Sequence, residues 1–165
     1  MAVRVIQGTL DQVPWSSNLL SYTRAVTLSL QEVGLAVKRL QWRHHREANR
    51  RLAPLGLSLV QWDVLRHLHA HADASLHQLA ELTFQTDQSM GELAKRMSAR
   101  GLLERVPGPG RQIRHRLTAA GQEQRLAGAA VFGGVLEDTL GGLSPDELAT
   151  LHALLGKANG EDEAV

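Results

Sequence analysis

With 165 residues, 43% of them hydrophobic, the chain is long enough for one domain with its own core. It has no cysteine, which excludes disulfides, thiolate metal sites and thiol-based redox sensing. No apolar run approaches membrane-spanning length and no signal peptide is visible, so the expected setting is cytoplasmic, with no membrane contact.

The net charge of +1 does not suggest a nucleic-acid partner, but its distribution does. Lys38, Arg39, Arg43, Arg46, Arg50 and Arg51 stand against Glu47 alone between Ala36 and Leu52. Between Thr86 and Arg116, Lys95, Arg96, Arg100, Arg105, Arg111, Arg114 and Arg116 stand against Asp87, Glu92 and Glu104. From Gly121 onward only Arg125 and Lys157 face eight acids. The chain is basic in its middle and acidic at its end, and only the middle needs to meet phosphate.

Met1 to Pro14 is compatible with a short extended arm around Val3 and Val5. Pro14 and Ser16-Ser17 then open a helical pattern that runs to about Leu52. Leu19, Val26, Val33 and Leu40 recur at heptad spacing, and Leu28, Leu35 and Trp42 form a second stripe. Together they make an apolar surface too wide for a helix with one neighbour. Gly34 is the position for a bend or a split.

Ala53-Pro54-Leu55-Gly56 breaks the pattern, and three short helices follow. Ser58 with Gln61 has capping-box spacing ahead of Leu59, Trp62 and Leu65, predicting a helix to about His71. Ser75 with Gln78 repeats the box for a helix to Leu82. Thr86 or Asp87 caps the next helix, which carries Met90, Leu93, Ala94 and Met97 inward and stops at Gly101 in left-handed geometry. Two strand-like runs then flank Pro107-Gly108-Pro109-Gly110. In the second, Ile113, His115 and Leu117 alternate with Gln112, Arg114 and Arg116.

Thr118 caps a helix to about Leu140 whose Gly128-Ala129-Ala130 and Gly133-Gly134 allow close helix approach. Ser144-Pro145-Asp146-Glu147 starts the last helix, with Leu148, Leu151, Leu154 and Leu155 on its apolar face. The acidic tail after Lys157 is expected to be loose. The order helix, helix, helix, hairpin predicts a mainly α fold with a small β-hairpin wing, a winged helix-turn-helix. The flanking helices have too little of their own chain to pack on, which predicts a two-fold homodimer through both ends.

A short helix with a polar outer face, followed by an arginine-rich hairpin, is suited to duplex DNA: helix in the major groove, hairpin on the neighbouring backbone or minor groove. Gln88 and Ser89 in the first turn can reach base edges. Glu92 either accepts from a cytosine amino group or faces solvent. Thr86, Lys95, Arg96, Arg105, Arg111, Arg114 and Arg116 complete the candidate DNA-binding set. Catalysis has no candidate: there is no phosphate-binding glycine loop, no His-Glu-x-x-His and no serine–histidine pair at useful spacing. The chain is expected not to be an enzyme and to need no cofactor.

The residues Gly56-Leu57-Ser58, Gln61-Trp62, Val64-Leu65, Leu79-Ala80, Leu93 with Arg96, Arg100-Gly101-Leu102, Glu104-Arg105, Leu117-Thr118 and Gly121 fall in one order. In that order the chain resembles the MarR family of transcription regulators. The resemblance implies one domain over 1–165, with dimerisation helices at 15–52 and 119–158 and a DNA-binding lobe at 57–118. It implies a homodimeric regulator of double-stranded DNA, a repressor of an inverted repeat released by a small aromatic or anionic effector. By the same resemblance Trp15, Trp42, His45, Trp62, Asp63 and Arg66 are the ligand-pocket candidates, ordinary core being the other reading for Trp42 and Trp62. The family's wing carries an acid–arginine pair at its tip; here Arg111 is the candidate groove arginine and no acid adjoins it.

Two other readings stay open. One is a metal sensor of the same fold: His67 and His71 share a helix face and His44 and His45 lie on the preceding helix, although Asp63 and His71 sit about 12 Å apart along the axis. The other is a winged-helix module that binds protein and not DNA.

Overall fold

The computed structural model describes residues 28–108, 110 and 113–161. The N-terminal arm, Trp15, Arg111, Gln112 and the end of the acidic tail lie outside them. The chain divides after Lys38 into two units, and the larger contains the core.

The first helix, α1, spans Leu30–Leu52. Where the heptad pattern runs on from before Ser29, the described helix begins behind a cap: the Ser29 amide donates to Glu32 Oε2 at 2.8 Å and the Glu32 amide to Ser29 Oγ at 3.2 Å. That reciprocal pair caps the described start of α1. A single turn, Ala53–Leu55, follows, and Gly56 at φ 67° reverses the chain.

The helices α2 (Leu59–Ala70), α3 (Leu76–Leu82) and α4 (Asp87–Ala99) come next, then the strands β1 (Leu103–Pro107) and β2 (Ile113–Leu117). Ser58 with Gln61 and Ser75 with Gln78 form the capping boxes that the sequence predicts. Thr86 accepts from the Ser89 amide, and Gly101 takes φ 72° at the end of α4. The strands pair antiparallel, with Leu103 opposite Leu117 and Arg105 opposite His115.

The core lies among these elements: Leu52, Val64, Leu65, Leu79, Met90 and Met97 are fully buried. Helix α5 (Ala119–Leu140) crosses α2, and Thr118 caps it by accepting from the Gly121 amide. Trp62 is the joint. It is buried, its indole N–H donates to the Arg125 carbonyl at 3.1 Å, and its ring meets Phe132 at 4.7 Å between centroids. A Cβ at Gly128 would lie 2.2 Å from Trp62 Cδ1, so this crossing needs glycine. The close approach that the Gly-Ala run permits is therefore, at Gly128, an approach to α2 of the same chain.

The second half of α1 is fastened to α5. Arg51 bridges Glu47 and Asp138, His44 Nε2 lies 2.7 Å from Thr139 Oγ1, and Arg43 donates to the Asp138 carbonyl. Arg50 and then Arg51 draw the Glu47 carboxyl down to about 2. The last helix, α6 (Pro145–Ala158), opens with the Ser144–Glu147 box and buries none of its residues. Among the described residues no single helix is long and apolar enough to cross a membrane.

Candidate nucleic-acid interface

The α3–turn–α4 segment sorts its residues cleanly. Met90, Leu93, Ala94 and Met97 face the core, and Gln88, Ser89, Glu92, Lys95 and Arg96 are exposed on the other side of α4. Among the described residues Gln88, Glu92, Lys95 and Arg96 make no side-chain hydrogen bond or ion pair, which leaves their polar ends available. Thr86 is exposed, but its oxygen is committed to the Ser89 amide at 3.2 Å. A helix whose first turn is capped and whose outward face carries amides and cations has the form needed to enter a major groove.

The hairpin register divides the wing arginines. Arg105 pairs with His115 on one face, whereas Arg114 pairs with Val106 and Arg116 with Glu104 on the other. The alternation predicted for the second strand is present, with His115 buried and Arg116 exposed. The three arginines do not form one surface, however, because cross-strand partners share a face. Arg114 and Arg116 line a groove with Asp73 and Pro107 between the wing and the α2–α3 loop. Burial, then the nearby Arg105 charge, holds the His115 imidazole below histidine's ordinary range, and among the described residues its buried Nδ1 has no hydrogen-bond partner.

The ligand-pocket candidates lie in separate environments. Trp42 is 61% exposed and stacks on His45 at 6.3 Å. Trp62 belongs to the core, with the Arg66 guanidinium 5.8 Å from its ring. Asp63 and Arg66 pair with each other at 3.0 Å. Arg66 also lies 2.8 Å from His67 Nε2, and burial together with that guanidinium depresses the His67 pKa. His67 and His71 stack at 6.4 Å, and among the described residues no group of three His, Asp or Glu side chains is placed to hold a metal ion. A cleft of about 840 Å³ opens elsewhere, bounded by the α2–α3 loop, Gln78, Glu81, Leu82 and Phe84.

Three features here carry weak sequence signals. Asn49 accepts from the Leu59 amide at 3.0 Å and so satisfies the start of α2 from α1. Phe84, in the turn before α4, is 94% exposed and has φ 55°, the left-handed region where glycine would be ordinary. His77 of α3 lies 2.9 Å from Asp87 in the first turn of α4. Neither residue type nor spacing points to this last contact, which joins residues of two helices, ten positions apart in sequence.

Residues 55–112 match the model of the MarR family. No curated protein sequence matches the chain. Among solved structures, BpsR from Bordetella bronchiseptica is 25% identical with TM-score 0.69, over 78% of this chain and 98% of its own. A mutant MarR from E. coli in complex with operator DNA is 23% identical with TM-score 0.68, over 76% and 92%. Rv2887 from Mycobacterium tuberculosis in complex with salicylic acid is 24% identical with TM-score 0.65, over 81% and 98%. The match across residues 55–112 makes that stretch similar to the MarR family, and the winged lobe with its flanking helices has the fold of the MarR winged helix-turn-helix structures.

Proposed function

We propose that the chain is a homodimeric transcription regulator that reads an inverted repeat in double-stranded DNA and is a repressor released by a small aromatic or anionic molecule. The observation that carries the proposal is α4, the recognition helix: a capped first turn with Gln88 and Ser89 exposed, ahead of Lys95 and Arg96 on the same outward side. Related folds support it, since one was solved with operator DNA, another with salicylic acid, and the DNA binding of a third is regulated by 6-hydroxynicotinic acid. Gln88 and Ser89 read bases; Lys95, Arg96, Arg114, Arg116 and Arg111 meet phosphate or groove floor.

The dimer supplies the spacing. Two recognition helices on a two-fold axis address half-sites roughly 10 bp apart centre to centre. Trp42 is exposed on α1 and stacks on the half-buried His45, where a partner's helices would complete an effector crevice with the Asp63–Arg66 pair. The effector acts only through its difference in affinity between dimers with matched and mismatched helix spacing.

Selection of duplexes from a random pool, read by sequencing, tests the proposal. An enriched inverted repeat is expected, with affinity that falls steeply as salt rises. Lys95→Ala should weaken all sequences and flatten the salt slope, and Gln88→Ala should relax base preference by about 1–3 kcal/mol at one position. An unenriched pool and salt-insensitive retention would instead identify a protein-binding module.

A further inference from the structure

We propose that His77 is a positioning residue of the recognition helix: its imidazole, set between Asp87 and Glu81, ties the first turn of α4 to α3 and in its protonated form cancels carboxylate charge on the DNA-facing surface. The inference rests on the DNA-binding reading above. His77 Nδ1 lies 2.9 and 3.2 Å from the two Asp87 oxygens, and Nε2 lies 3.6 Å from Glu81 Oε1. Both ring nitrogens therefore face carboxylates. A neutral imidazole has one N–H, so only the protonated ring answers both.

The cluster resolves a conflict in α4. A carboxylate at the first helical position complements the helix dipole, and Asp87 supplies it. On a surface that approaches phosphate, the same carboxylate has the wrong sign. His77 lets the helix keep its acid while removing its net charge. The hydrogen bond to Asp87, then the Asp87 and Glu81 charges, holds the proton above histidine's ordinary range. Asp87 comes from α4 and Glu81 from the histidine's own helix; among the described residues no charged group of α2 or the wing acts on His77.

DNA brings further negative charge to this surface, so the bound protein holds the proton more tightly than the free one. The added affinity is fully present below the free protein's His77 pKa and is lost as pH rises through that of the complex. The free value already lies above the ordinary one, so the loss sets in above histidine's ordinary range.

The test uses the tightest duplex from the random-pool selection, with a fluorescent label, in anisotropy titrations at constant ionic strength. The full chain should lose roughly two- to fivefold in affinity from about pH 6.5 to about pH 8.5, the scale of one exposed ion pair. His77→Gln keeps a hydrogen-bond donor without the charge and should remove this slope. Asp87→Asn should remove it too, and should bind better than the unmodified chain at the alkaline end. Because His77 is 65% exposed at its side chain, neither variant should change the denaturation midpoint appreciably. An unchanged pH profile in His77→Gln overturns the inference, as does a His77 ring that titrates by NMR at or below the ordinary histidine value. If no duplex is enriched at all, the DNA-binding reading fails first and this inference goes with it.

Discussion

In the winged lobe the apolar faces close. Leu65 of α2, Leu79 of α3 and Met90 and Met97 of α4 have no exposed surface. The flanking helices use the same residue types and leave them open: Leu30 is 94% exposed and Leu154 61%, with Val33, Leu35, Val37, Leu148 and Leu155 also exposed. The difference is one of supply. The lobe helices have neighbours close in sequence, and the hairpin follows α4, so one chain suffices. Among the described residues, the first half of α1 and α6 each leave apolar side chains exposed, which is the condition for association. Fold and proposed assembly thus occupy different stretches, and substitutions should separate them.

The largest effects should fall in opposite assays. Leu79→Ala empties a fully buried site and should lower unfolding stability by about 2–5 kcal/mol, read as a shifted urea midpoint. Leu154→Glu alters an exposed position, so unfolding of the lobe should change by less than about 0.5 kcal/mol. Its effect should appear in sedimentation, where a charge set into an apolar interface should weaken association by roughly a hundredfold or more. If both variants behave alike in both assays, the division between lobe and flanks is wrong.

Gly128→Ala sharpens the boundary from inside. The added methyl meets the Trp62 indole, whose N–H is fixed on the Arg125 carbonyl. Overpacking there should cost about 1–3 kcal/mol and shift tryptophan emission. Gly133→Ala, five residues on, has open space around its Cβ and should be neutral or slightly stabilising. A neutral Gly128→Ala would mean that α5 does not cross α2 at this glycine.

What the sequence disclosed was local. Ser-x-x-Gln and Ser-x-x-Glu boxes need only the spacing of one helical turn, and those at Ser58, Ser75 and Ser144 are formed. The inward faces of α2 to α4 were equally readable, because burial follows the helical period. Features that depend on a distant partner were not. The heptad stripe passes through Ser29 without interruption, so the box that starts α1 was hidden inside a stronger pattern. Trp62 reads the same in sequence whether its ring meets Gly128 or a ligand. The division of Arg105 from Arg114 and Arg116 depends on the register across the turn, which a Pro-Gly-Pro-Gly stretch does not state. For Trp42, His45, Asp63 and Arg66 the candidate site spans α1 and α2, and residue type alone does not bring those side chains together.

Phe84 offers the smallest and most discriminating change. A phenylalanine at φ 55° carries the left-handed penalty of about 1–2 kcal/mol for an L residue. Its ring is 94% exposed, so burial returns almost nothing. Glycine removes the penalty but adds about 0.5–1 kcal/mol of chain entropy to be lost on folding. Phe84→Gly should therefore stabilise the lobe by about 0.5–1 kcal/mol, visible as a higher urea midpoint with an unchanged slope. Because Thr86 still caps α4 through the Ser89 amide, helix content should not change. A stabilised variant that also bound DNA as before would make Phe84 a passive tenant of the turn. A stabilised variant with weaker binding would mean that the lobe carries strain to hold an aromatic ring beside its recognition helix. A destabilised variant would contradict the account, since it would require the ring to contribute packing that its exposure rules out.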